Sequence, residues 1–195
     1  MIHCVFDRPG GVLKVFSGGA ERNSFAATGD AWGRSMDPGA GPHGHDWPIP
    51  SGHYVLTQWQ SWGTGGAVNS EGYGQISVDD IDDATKQRLI DAGVCSVSGD
   101  NLVIGGIALP RGGLAANGRG AIMVHGGGSN APEPLAAQQP LCATEGCTRV
   151  HNSDWPTLVN DLAGTHLGFP PAAGGGAFQE TVVFTVVGDS PQASC

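Results

Sequence analysis

"GAIMVHGGG", residues 120–128, and "ATEGCTRVHN", residues 143–152, decide how this chain is read. The first is a short apolar run that ends at His125 and opens into three glycines, the pattern of a buried strand closed by a turn. The second places Cys147 after a glycine, at the mouth of another short strand, "CTRVHN". Two such strand ends at one rim of a sheet bring an imidazole to a thiol. Side chains alternate along a strand, so Arg149 and His151 point to the same face as Cys147.

Working outward from this pair, the chain keeps the same grammar of short apolar runs and turn residues. "HCVFD" (3–7) and "VLKVF" (12–16) read as strands joined by the turn "RPGG", and "NSFAATG" (23–29) as a third. Residues 29–53 form a long Gly/Pro/Asp/His loop, of a length that in compact domains is functional or disordered. "YVLTQWQSW" (54–62) alternates as a strand. "NLVIGGIALP" (101–110) reads as one strand bent at Gly105 and Gly106. "TVVFTVV" (181–187) is a strong, central final strand. Helices are predicted at "DDIDDATKQRLIDAG" (79–93), opened by acidic residues and stopped by Gly93, and at "SDWPTLVNDLAG" (153–164), stopped by Gly164. The count is about eight strands to two helices. It predicts a mainly β, mainly antiparallel sandwich or barrel with two short helices at its margin, built as a single domain over 1–195.

Composition narrows the function classes. Of 195 residues, 33 are glycine and 13 proline, yet 39% are hydrophobic, which suits strands and turns rather than a low-complexity tail. The formal net charge is −9, and the nine Lys and Arg are scattered, so a nucleic-acid groove is not expected. No run of about 18 apolar residues is present, so no membrane span is expected. "MIHCVFDRPGG" lacks the basic start and apolar core of a secretory signal, which predicts a cytoplasmic protein or one exported without a cleaved signal. Five cysteines, an odd number, leave at least one thiol unpaired in a monomer.

From the residues alone Cys147 has three readings. It pairs with Cys142 across a short C-x4-C loop, it joins Cys142 and His151 (with His43 and His45) around a metal, or it is a nucleophile. Structural zinc sites show tighter ligand pairs than this spacing, so no metal is expected. A cysteine nucleophile needs a base, a group that orients the base, and backbone N–H donors for the oxyanion. His125, the glycines after it and Gly146 supply candidates for each. Arg149 either lowers the thiol pKa, binds a carboxylate, or is a structural salt-bridge residue. Glu145 is either an orienter of His125 or a solvated charge.

Taken together, "IMVHGGGSN" (122–130) and "ATEGCTRVHN" resemble the active-site signature of L,D-transpeptidase (YkuD-type) domains. That signature is a His-Gly at a strand end, a variable gap, then Ser/Thr, one residue, Gly-Cys and a nearby Arg or Asn. The match falls on His125-Gly126, Thr144, Gly146-Cys147 and Arg149. Glu145 stands where the motif has His, and the gap of 22 residues is long. Glu in that slot, "DWPIPSGHYVL" (46–56), "FDRPGGVLKVFSGG" (6–19) and "SFAATG" (24–29) are similar to the Tlde1-like branch of type VI secretion effectors.

The resemblance implies a cysteine acyl transferase acting on peptidoglycan tetrapeptide stems, with an L,D-transpeptidase-like β fold and no cofactor. Cys147 would be the nucleophile and His125 the base, with Arg149 organising the site. Gly126, Gly146 and Thr148 would supply backbone groups for orientation and the oxyanion. Thr144, Glu145, Trp47 and His151 would line the substrate cleft. It further implies delivery by a secretion system to a target-cell periplasm, with an immunity protein as a partner. Two other classes stay open: a different cysteine peptidoglycan hydrolase, and a non-catalytic wall-binding module with an inert Cys147.

Overall fold

A computed structural model describes residues 1–29, 48–49, 51–66, 68–99, 101–104, 107–110, 122–128, 133–144 and 146–188. Eight strands close into a barrel: β1 (Ile2–Asp7), β2 (Val12–Ser17), β3 (Ala20–Thr28), β4 (Gly52–Trp62), β5 (Gly74–Asp80), β9 (Met123–His125), β10 (Thr148–Val150) and β11 (Ala173–Val187). Around the barrel the order is β1-β11-β4-β5-β9-β10-β3-β2. The pairs are antiparallel except β1 with β11 and β9 with β10, which are parallel. A second small sheet holds β6 (Cys95–Ser98), β7 (Asn101–Ile104) and β8 (Ile107–Pro110). The helices are α1 (Val68–Glu71), α2 (Asp83–Asp91) and α3 (Trp155–Ala163). No helix among the described residues is long and apolar enough to cross a membrane. The mainly β architecture with short marginal helices is the one the strand pattern predicts.

Alternation explains where the core sits. Phe25 and Ala27, Leu56, Ile76 and Val78, Val124, Val150, Val182 and Phe184 all turn into one apolar cluster inside the barrel. The apolar face of α3 joins it with Trp155, Leu158, Val159 and Leu162. Val183 points the other way, into a second cluster with Ile81, Leu89, Cys95, Leu102 and Ile104, so residues 182–186 of β11 are buried on both faces. That double burial is why "TVVFTVV" reads as an unbroken apolar run instead of an alternating one.

The sequence reading needs five corrections. "GQISVDD" is a strand, β5, because Ile76 and Val78 alternate into the core; its trailing acidic residues resemble the helix start that follows. The helix itself begins at Asp83, with the Asp82 side chain accepting from Thr85 N at 2.6 Å as its N-cap. Residues 101–110 form two strands, and β6 was not anticipated. β11 starts at Ala173, eight residues before the apolar run, because "AGGGA" is held by pairing to β4 rather than by strand propensity. His53, expected in a loop, is a fully buried residue of β4 bonded to Thr185 Oγ1 at 2.9 Å and Leu102 O at 3.1 Å.

Candidate active site

The register builds the site. Gln75 on β5 pairs with His125 on β9, His125 with Arg149 on β10, and Arg149 with Thr28 on β3. Their chain neighbours Ile76, Val124, Val150 and Ala27 face the core. This row therefore lies on the outer face of the barrel. Cys147 precedes Arg149 by two residues and shares its side. The three residues are nonetheless covered: His125 is 5% exposed, Cys147 6% and Arg149 1%. The sequence reading puts the end of β9 and the start of β10 at one rim; because the two strands are parallel, those ends lie at opposite ends of the pair, and Arg149 rather than Cys147 is the residue paired with His125.

His125 Nδ1 lies 2.5 Å from the carbonyl oxygen of Gly126. A carbonyl only accepts, so Nδ1 carries the hydrogen and Nε2 presents its lone pair. Burial lowers the His125 pKa to about 4, with the charge of Arg149 pushing the same way and the Gly126 carbonyl opposing. The ring is therefore a neutral base at neutral pH. Gly126 has no room for a side chain: a Cβ there would fall 2.3 Å from Asn152 Oδ1.

Cys147 sits at the end of a tight turn. The Thr144 hydroxyl donates to Cys147 O at 2.7 Å and accepts from Gly146 N at 3.1 Å. Gly146 has φ +109°, a backbone that favours glycine, which explains the Gly before the Cys. Burial lowers the Arg149 pKa to about 10, opposed by the sulfur of Cys147. The guanidinium thus stays charged and within electrostatic reach of the thiol.

Cys142 is disulfide-bonded, whereas Cys4, Cys95 and Cys147 are free. The Cys142–Cys147 pairing is thereby excluded, and a disulfide sulfur is no thiolate ligand for a metal. The hydroxyl of Thr144, expected to touch substrate, holds the turn through these two bonds. Gly146, expected to offer its amide to the oxyanion, donates it to Thr144. His151 Nδ1 donates to Gln139 O at 2.9 Å, and its carbonyl accepts from Asp154 N and Trp155 N at the start of α3. Thr148 lies in β10 opposite Val124. Glu145 and Trp47 lie outside the described residues, as do His43 and His45.

Two residues the sequence did not flag hold the site together. Gln139, fully buried, donates to Val150 O at 2.9 Å and accepts from Asn152 N at 2.9 Å. Asn152 Nδ2 donates to Pro134 O and Ala136 O at 2.8 and 2.9 Å. Ser153 N bonds Ala137 O at 3.0 Å, and Gln138 donates to the Ser153 hydroxyl. The connection from β9 to β10 is thus clasped against the segment joining β10 to α3. No local sequence signal marks such long-range side-chain-to-backbone bonds.

Residues 3–172 match a family model described as YkuD, L,D-transpeptidase catalytic domain. No curated protein matches the chain. Among solved structures it is similar to Bd1075 of Bdellovibrio bacteriovorus, at 14% identity and a TM-score of 0.51, over 95% of this chain and 47% of that one. It is also similar to L,D-transpeptidase 1 of Mycobacterium tuberculosis, at 12% identity and a TM-score of 0.37, over 96% of this chain and 61% of that one. The chain therefore spans less than two thirds of the length of either.

Proposed function

The chain belongs to the YkuD family of L,D-transpeptidase catalytic domains, and on that premise we propose that it is a cysteine acyl transferase acting on peptidoglycan stem peptides. The observation that carries this reading is the parallel register of β9 and β10. It sets Arg149 beside His125, with Cys147 on the same face and His125 Nε2 free of its hydrogen.

In the reaction, His125 Nε2 takes the Cys147 thiol proton as the sulfur attacks the carbonyl carbon of the third stem residue. The charge on the carbonyl oxygen is met by the Cys147 amide, since the Gly146 amide is held by Thr144. The C–N bond to the terminal D-Ala breaks, His125 returns its proton to the departing amine, and a thioester remains on Cys147. Water then gives a trimmed stem, a second stem's amine gives a cross-link, and a free D-amino acid gives exchange. Arg149 steadies the developing thiolate and draws the substrate carboxylate to its side of the site. The likeness of "DWPIPSGHYVL" and the opening hairpin to secreted effectors supports a toxin role in a target-cell periplasm, opposed by an immunity protein.

The test is mass spectrometry of purified disaccharide-tetrapeptide incubated with the protein, with and without a free D-amino acid, against Cys147→Ala. Loss or replacement of the terminal D-Ala only with the intact thiol is the expected result and names the acceptor. Unchanged stems with the intact protein, or equal turnover by Cys147→Ala, would overturn the reading.

A further inference from the structure

Beside the catalytic row, on the same outer face, the barrel carries a groove of about 260 Å³. Its polar walls are Gln58 and Gln60 of β4 and Gln75 and Ser77 of β5, and the glycine run 174–176 of β11 closes its far side. No charged residue lines it. The register ties it to the site: Gly175 pairs with Gln60, Gln60 with Gln75, and Gln75 with His125. Strands lie about 4.8 Å apart, so the groove begins roughly 5 Å from His125 and ends about 14 Å from it. An extended segment of three or four residues spans that distance at about 3.3 Å per residue.

The lining chemistry is one-sided. Each carboxamide offers two donors and an acceptor, and Ser77 adds a hydroxyl. Gln58 Nε2 reaches Ser77 Oγ only at 3.5 Å, so these groups are weakly engaged with one another. Gly175, opposite Gln60, presents bare backbone where another residue would raise a side chain over the groove. The one cation of the row, Arg149, lies on the opposite side of His125 from Gln75. A ligand crossing the strands therefore meets positive charge at one end and neutral hydrogen-bonding groups at the other.

We propose that the Gln58/Gln60/Gln75/Ser77 groove is a substrate subsite that binds a neutral, amide-bearing segment, and that it fixes substrate direction, with the carboxylate toward Arg149 and the amides toward β4. This rests on the acyl-transfer reading above. The amides belong either to the stem's peptide backbone or to the N-acetyl groups of its sugars; both present one donor and one acceptor to a carboxamide.

The experiment compares Gln60→Leu and Gln60→Leu/Gln75→Leu with the unaltered protein on disaccharide-tetrapeptide and on sugar-free tetrapeptide, with iodoacetamide alkylation of Cys147 as a readout that needs no substrate. Each lost hydrogen bond should raise KM by about 5–10-fold with smaller change in kcat, and Gln60→Leu, which lies outside the row, should leave alkylation unaltered. A KM rise on both substrates assigns peptide amides, and a rise on the sugar-bearing one alone assigns N-acetyl groups. An unchanged KM on both overturns the subsite while acyl transfer stands. Should the intact protein turn over neither substrate, calorimetric titration of Cys147→Ala with disaccharide-tetrapeptide decides. Binding weakened by Gln60→Leu keeps the subsite without the enzyme, and no binding, or binding unaffected by it, rejects the subsite as well.

Discussion

Replacing Thr144 by valine keeps the branched shape of the side chain and deletes one hydroxyl. Two groups lose their partner: the Gly146 N–H at 3.1 Å and the Cys147 carbonyl at 2.7 Å. Thr144 is 4% exposed, so water does not readily take the hydroxyl's place. A buried polar group left unsatisfied costs about 1–3 kcal/mol, so the pair costs about 2–4 kcal/mol after the turn relaxes. For a chain of this size that is a fall in Tm of roughly 5–15 °C. Thr144→Ser retains the hydroxyl and should recover most of it. The turn also carries the nucleophile, so Thr144→Val should change the alkylation rate of Cys147 and lower kcat, with KM for the stem little altered. A Thr144→Val protein that melts with the wild type, alkylates normally and shows only a raised KM would refute the argument, and would make Thr144 a substrate contact.

Other outcomes follow from the same geometry. His125 and His3 are each held near pKa 4, chiefly by burial, against about 6.5 in an unfolded chain. Between these values the unfolded chain binds protons that the native one refuses, so stability is whole above pH 6.5, falls with pH and is lost as pH drops through 4. His125 alone accounts for at most about 3 kcal/mol of it, and thermal melts from pH 7 to pH 4 that stay flat would contradict its burial as a neutral ring. Gly126→Ala drives a Cβ against Asn152 Oδ1 and displaces the carbonyl that orients His125; turnover should drop at least tenfold by the peptide assay, alongside a lower melting temperature. Gln139→Leu strips Val150 O and Asn152 N of a buried partner and should cost about 2–4 kcal/mol in urea unfolding, whereas a cost near zero would mean that the clasp is not needed.

Local pattern made part of this structure legible. Apolar runs bounded by Gly and Pro located β1 to β4, β9, β10 and the second half of β11, and the terminal Gly164 located the end of α3. β5 was hidden because its acidic end runs into the N-cap of α2, so two signals overlap within five residues. The first half of β11 was hidden because glycine carries no strand propensity and only its pairing with Gln58–Trp62 makes it a strand. In the site, the His125, Gly146-Cys147 and Arg149 set stood out through its resemblance to a family signature, while the residues alone left Cys147 with three readings. Spacing placed the Thr144 hydroxyl near the thiol without telling that it bonds Gly146 N and Cys147 O. Gln139 and Asn152 were invisible, since their partners lie 11 to 18 residues away.

The long gap between His125 and Cys147 has a topological cause. Strands that lie side by side and parallel cannot be joined by a tight turn; the chain must cross back over the barrel end before it can enter the second strand in the same direction. β9 and β10 are such a pair, so His125 and Arg149 must be distant in sequence in order to be paired in space. The crossover is then not free to vary at its far end. Gln139, Asn152 and Ser153 bond residues 134–139 to the strand's own exit, and the Cys142 disulfide adds a covalent tie just before the Thr144 turn. Between the clasp and Cys147, a single added residue would shift the Thr144 turn that leads into β10.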